Sequence, residues 1–96
     1  MQEFVVGDLV VSTAGHDMGQ FYVIVDIIDK NYVALADGKN KPITSPKKKK
    51  IKHILSLDCR DVDFEQKISK KDVDSNAYIK KILKNFENSL KNLKIL

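Results

Sequence analysis

The chain reads as a mainly β domain, a small five-stranded barrel followed by a C-terminal amphipathic α-helix. Three observations lead there. Short runs rich in β-branched and aromatic residues recur between Phe4 and Leu57, separated by turn residues. The pattern stops after Leu57, and a stripe with helical spacing starts only after Ser75. A chain of 96 residues also holds one modest core, because it buries only about 60–65 % of its unfolded surface.

The strands follow in order. Leu9 and Val11 alternate with Asp8, Val10 and Ser12, and FYVIVDII (Phe21 to Ile28) and YVALA (Tyr32 to Ala36) are the next two runs. PIT (Pro42 to Thr44) and IKHIL (Ile51 to Leu55) complete the set. Between them AGHDMG supplies Gly15 and Gly19, DKN covers Asp29 to Asn31, and Asp37-Gly38 is a tight-hairpin pair in which both residues tolerate positive φ. Strands this short do not bury both faces of a flat sheet, so they are expected to close on themselves and remove their edges.

These signals divide the chain into a barrel over 1–57, a charged connector over 58–75 and a helix over 76–96. Asp72, Asp74 and Ser75 are N-cap candidates, with Lys91 and Lys94 near the other end of the helix dipole. Ile79, Ile82, Leu83, Phe86, Leu90 and Leu93 share an arc of about 100°. Lys80, Lys81, Lys84 and Lys91 occupy the opposite face with Glu87. The stripe admits two readings, a cover for the barrel or a seam that pairs two copies of the helix or takes a protein partner, and a third reading of the helix has its basic face bind RNA directly.

The net charge of +4 conceals an uneven layout. Residues 1–38 set Lys30 against Glu3, Asp8, Asp17, Asp26, Asp29 and Asp37, a balance of −5. Residues 39–53 carry Lys39, Lys41, Lys47, Lys48, Lys49, Lys50 and Lys52 with no acid, a balance of +7. Neighbouring ammonium groups disfavour one another by roughly 1 kcal/mol per close pair in water, so such a block is either a solvated loop or a surface for an anion. Sixteen lysines against one arginine, Arg60, favour point-charge attraction to phosphates over bidentate reading of bases. Aromatics are few in the basic block, which weighs against a single-strand binder. PKKKKIK also has the residues of a nuclear import signal, but it lies between expected strands rather than in a tail.

Catalytic signals are sparse. His16 and His53 are the only histidines and Cys59 the only thiol, so zinc-ligand spacing is absent and a cysteine–histidine dyad would need a pocket too deep for so short a chain. AGHDMG lacks the Lys-Ser/Thr ending of a phosphate loop. No enzymatic activity, cofactor or metal is therefore expected. One cysteine forms no internal disulfide, and MQEFVVGDLVV has acidic residues where an export signal has basic ones, so the expected location is cytoplasmic, with no membrane partner.

VGDLVVSTAGHDMGQFYVIVDIID (Val6 to Asp29) resembles a KOW motif: glycine-aspartate, a hydrophobic strand, a glycine-bearing loop, then a second hydrophobic strand. Onward, NYVALADG and then PKKKKIKHI resemble the order in the KOW-bearing ribosomal proteins of the archaeal and eukaryotic large subunit, the L-fourteen-e type. The resemblance covers roughly residues 5–57. It implies an SH3-like barrel in which Gly15 and Gly19 shape the loop, Asp17 orders it, and Lys47, Lys48, Lys49, Lys50, Lys52 and His53 approach RNA backbone. Lys39 and Lys41 join that group as members of the basic block. Where the family usually has arginine this chain has His16, whose ring is mostly neutral near pH 7; the local expectation for His16 is a hydrogen bond to Asp17. The function implied is docking on structured RNA, ribosomal RNA or the large subunit above all, in a ribosome-associated or assembly role. Two alternatives remain open, a protein-interaction adaptor using barrel and helix, and a transcription-elongation KOW module.

Overall fold

The computed structural model describes residues 3–68 and 73–93. Strands β1 (Asp8–Ser12), β2 (Phe21–Ile27), β3 (Tyr32–Ala36), β4 (Lys47–Lys50) and β5 (Ile54–Arg60) are followed by a short helix α1 (Phe64–Lys67) and a long one, α2 (Val73–Leu93). A 3-10 turn, Ile51–His53, carries the chain from β4 to β5. The strands form one antiparallel sheet in the order β4-β3-β2-β1-β5. Its registers slip between Asp8 and Val10 on β1 and between Ile24 and Asp26 on β2. Bulges of this kind bend a strand and sharpen its twist, and they give the sheet its barrel-like curl.

Side chains then alternate between two apolar layers. Val10, Tyr22, Ile24, Val33, Leu35 and Ile54 pack together inside the curl. Leu9, Val23, Val25, Ala34 and Ala36 face the other way and meet Ile43, Phe64, Ile68, Ile79 and Leu83. Because both faces are covered, β2 and β3 read as nearly continuous apolar runs rather than alternating ones. The same cover corrects the expectation for β1: Val10, which simple alternation put on the polar side, is wholly buried.

Two strands differ from the sequence reading. Pro42 to Thr44 are not a strand; Ile43 is buried in the outer layer and its N–H donates to Asn76 Oδ1 of α2 at 2.7 Å. The ladder beside β3 is taken instead by the four lysines, with Tyr32 opposite Lys50 and Leu35 opposite Lys47. Lysine has low strand propensity, but on an edge its charge blocks further strand addition. The expected IKHIL strand is half turn and half strand, since Ile51–His53 coil before β5 begins at Ile54 and runs on to Arg60. Asp37-Gly38 does turn the chain, with Asp37 Oδ1 accepting from the N–H groups of Lys39 and Lys41. The returning strand, however, begins only at Lys47.

Helix α2 covers the outer layer. Ile79 and Leu83 are buried there, Ile82 is partly buried, and the Phe86 ring meets Phe21 edge-on at 5.6 Å. The stripe therefore packs on the barrel. Gly38, at φ +76°, lies under the helix so closely that a Cβ would stand 2.3 Å from the Asn76 carbonyl oxygen. Farther along the helix, Tyr78 donates its hydroxyl to Asp61; that bond first, and burial second, push the phenol up to about 12. Asp74 and Ser75 lie inside the first turn rather than at its cap, while Asp72 and Lys94 fall outside the described residues. No described helix is long and apolar enough to cross a membrane.

Truncating the cover tests its role. Ile79→Ala removes a fully buried side chain and is expected to cost about 3 kcal/mol, lowering the thermal midpoint by roughly 10–20 °C. Leu90→Ala, at a half-buried position, should cost much less. Circular dichroism melts at two protein concentrations check both, and a wild-type midpoint that rises with concentration would favour the two-helix seam.

Candidate nucleic-acid interface

The loop between β1 and β2 folds back on itself before it meets anything else. Ser12 N–H donates to the Gln20 carbonyl at 3.0 Å and Gly19 N–H to the Ser12 carbonyl at 2.8 Å, with Gly15 and Gly19 at positive φ. This hairpin sets the Asp17 carboxylate at the end of the inner core. Oδ1 accepts from Ser12 Oγ and Lys49 Nζ, both at 2.9 Å, and Oδ2 from Tyr22 Oη and Lys47 Nζ, also at 2.9 Å. Lys49 Nζ in addition donates to the Ala14 carbonyl at 2.8 Å. Thr13 N–H donates to the His53 carbonyl at 2.9 Å, which draws the 3-10 turn to the same rim.

The charges at this rim are unequal in exposure. Lys49 is buried and Lys47 partly so, whereas Lys48 and Lys50 are exposed. Strand geometry accounts for the split, since successive side chains point to opposite faces. Burial alone would raise the Asp17 carboxyl, but the hydrogen bonds from Lys49, Lys47, Ser12 and Tyr22 outweigh it and hold the group far below its ordinary 3.8. Burial and the bond to Asp17 push the Tyr22 phenol well above its usual range.

On the other side of β4, Lys48 Nζ stands 4.4 Å from the centroid of the Tyr32 ring, a cation–π contact. Beyond Tyr32 opens a cleft of about 420 Å³ lined by Lys30, Asn31, Tyr32, Lys50, Ile51 and Lys52. The cleft and the Asp17 cluster are linked by β4 itself, whose Lys50 borders one and whose Lys49 anchors the other.

Of the residues singled out in the sequence, Asp17, on one loop with Gly15, His16 and Gly19, meets Lys47 and Lys49 of β4, and the His53 backbone joins that loop at Thr13, whereas Lys48 stands over Tyr32 on the other side of the strand and Lys50 and Lys52 line the cleft. Lys39 and Lys41 donate their backbone N–H groups to Asp37. They sit on the loop after β3, whose Gly38 packs against Asn76 and Lys80 of α2. His16 is exposed, and the bonds to Asp17 come from Ser12, Tyr22, Lys47 and Lys49 rather than from its ring. Sequence reasoning missed Tyr22 and Ser12 as partners of Asp17, and Lys30 and Tyr32 as cleft residues. Tyr32 was hidden by the wrong fourth strand; once KKKK is the strand beside β3, the register itself sets Tyr32 against Lys50.

Comparison with known proteins adds a partial match. No model of a known protein family matches the chain. Over 53 residues the chain is 38 % identical to the large ribosomal subunit protein eL14 of Staphylothermus marinus. The aligned segment covers 55 % of this chain and 55 % of that protein, so the chain spans about half the length of the curated relative it matches.

The Asp17 cluster predicts a dependence on pH and on one atom. Asp17→Asn leaves the buried Lys49 ammonium without its counter-charge and should cost about 2–3 kcal/mol, less than a fully buried pair because Lys47 is part-exposed. The folded-state carboxyl lies below its unfolded value, so its contribution is full above 3.8 and is lost as pH falls below that. Urea titrations between pH 7 and pH 2 should show wild-type stability falling below about pH 4, and a shallower fall in Asp17→Asn.

Proposed function

We propose that this protein is a ribosome-associated RNA-binding protein that docks on structured RNA through backbone phosphates, without catalysis. The observation that carries the reading is the lysine strand, pinned to the β1–β2 loop through Lys47 and Lys49, which leaves Lys48 and Lys50, with Lys52 on the turn after it, exposed. Similarity to a protein named as a component of the large ribosomal subunit supports ribosomal RNA as the partner. A cytoplasmic location follows from that partner.

The contacts proposed are ordered by exposure. Lys48, Lys50 and Lys52 are the primary phosphate ligands, with the backbone around Gly15 and Gly19 and the His16 and His53 rings at the margin. Lys47 and Lys49 act mainly through Asp17, holding the loop in place, and Lys39 and Lys41 reach RNA only if it extends toward α2. Lysine ammonium groups attract phosphate without a fixed fork, so selectivity comes from the shape of the RNA that fits a rigid rim.

Gradient sedimentation with ribosomal subunits, at low and moderate salt and with and without ribonuclease, tests the reading. Co-migration with the large subunit that salt or ribonuclease abolishes is the expected result; protein left at the top throughout would overturn it. For a bound RNA, replacing Lys48, Lys50 and Lys52 together by Gln should weaken binding at least tenfold and reduce the slope of log K against log salt by roughly 2–3. Lys47→Gln alone should change that slope by less than about 1.

A further inference from the structure

The cleft beside Tyr32 combines chemistry that phosphate docking alone does not use. Three of its lining side chains, Lys30, Lys50 and Lys52, are cationic, and no carboxylate is among them. Tyr32 and Ile51 supply apolar surface, and the Asn31 amide offers both a donor and an acceptor. A flat apolar wall, an amide and a group of cations match the parts of one nucleotide: a base with a π-face and a polar edge, joined to an anionic phosphate. The volume, about 420 Å³, falls within the roughly 300–1,000 Å³ typical of small-ligand pockets.

The walls are held in place by the fold. Asp29 Oδ1 accepts from the N–H groups of Asn31 and Tyr32 at 2.7 and 2.9 Å, which fixes the turn that carries Lys30. Ile51 N–H donates to the Asn31 carbonyl at 2.8 Å and ties the opposite wall to that turn. Lys48 stands over the Tyr32 ring at 4.4 Å from its centroid and is not among the residues that line the cleft.

We infer that this cleft takes a single unpaired nucleotide of the bound RNA, its base against Tyr32 and Ile51 and its phosphate among Lys30, Lys50 and Lys52. The inference rests on the RNA-binding reading above and adds a preference to it. A base within a duplex is stacked on both faces and does not reach the ring, whereas a bulged or looped-out base does. Duplex phosphates still reach the exposed lysines of the rim, so paired RNA is bound more weakly rather than refused.

The test uses two RNA hairpins that differ only by one bulged adenosine, titrated into the full chain. Wild type should prefer the bulged hairpin about tenfold, Tyr32→Phe should keep that preference, and Tyr32→Leu should bind both hairpins equally at the weaker affinity. Equal wild-type affinities, or a Tyr32→Leu variant that keeps the preference, would overturn the inference while leaving the phosphate reading intact; binding of neither hairpin would overturn both. If Tyr32→Leu melts early, NMR of the wild type gives the answer directly. The Tyr32 ring signals should shift upfield with the bulged hairpin and not with the paired one, and identical shifts with both would overturn the inference.

Discussion

The carboxylate of Asp17 joins pieces of chain that sequence keeps far apart: Ser12 at the end of β1, Tyr22 at the start of β2, and Lys47 and Lys49 on β4. β4 and β1 are not neighbours in the sheet, so these bonds do for one end of the curl what backbone pairing does along its strands. Moving a carboxylate out of water is costly unless charge and hydrogen bonds replace the water lost. Here two ammonium groups and two hydroxyls do so. In the described residues no buried side-chain nitrogen or oxygen lacks a partner, which is the condition under which a buried polar cluster sharpens a fold instead of loosening it.

The consequence reaches the surface. A single negative group at the end of the core engages two of the lysines in the run and reduces the repulsion that four adjacent ammonium groups would otherwise carry. It also ties the β1–β2 loop to β4 through Lys47 and Lys49. The basic block is thus part of the barrel's construction before it is a surface for anything else.

How far this was legible in the sequence depends on what each element needed. β2 and β3 were plain, because β-branched runs bounded by turn residues state both type and extent. The helix stripe was plain in its apolar spacing, while its destination was not, since Ile79 or Leu83 would look the same facing a barrel or a second helix. β4 was misplaced because PIT looks like a strand by composition and KKKK does not; the ladder opposite β3 was decided by tertiary context, with Ile43 drawn off into the outer layer by Asn76 and its apolar neighbours. In the candidate site, Asp17 and the lysines were visible one by one. Their pairing was not, because Lys49 and Asp17 meet across 32 positions and only a barrel of this curl brings them within reach.

The parity of the lysine run is what turns a charge cluster into a surface. In a mobile loop the backbone of each residue would have to be ordered on binding, at roughly 1–2 kcal/mol per residue. On a strand, alternate residues are committed in advance: Lys49 is buried against Asp17 and Ala14, Lys47 joins it, and β4 is thereby anchored at its odd positions. Lys48 and Lys50 are then presented on the other side by a backbone already fixed, one over Tyr32 and one at the mouth of the cleft. The preorganisation of the even lysines depends on the burial of the odd ones, so sliding the run by a single residue would preserve composition and charge while exchanging anchor for ligand.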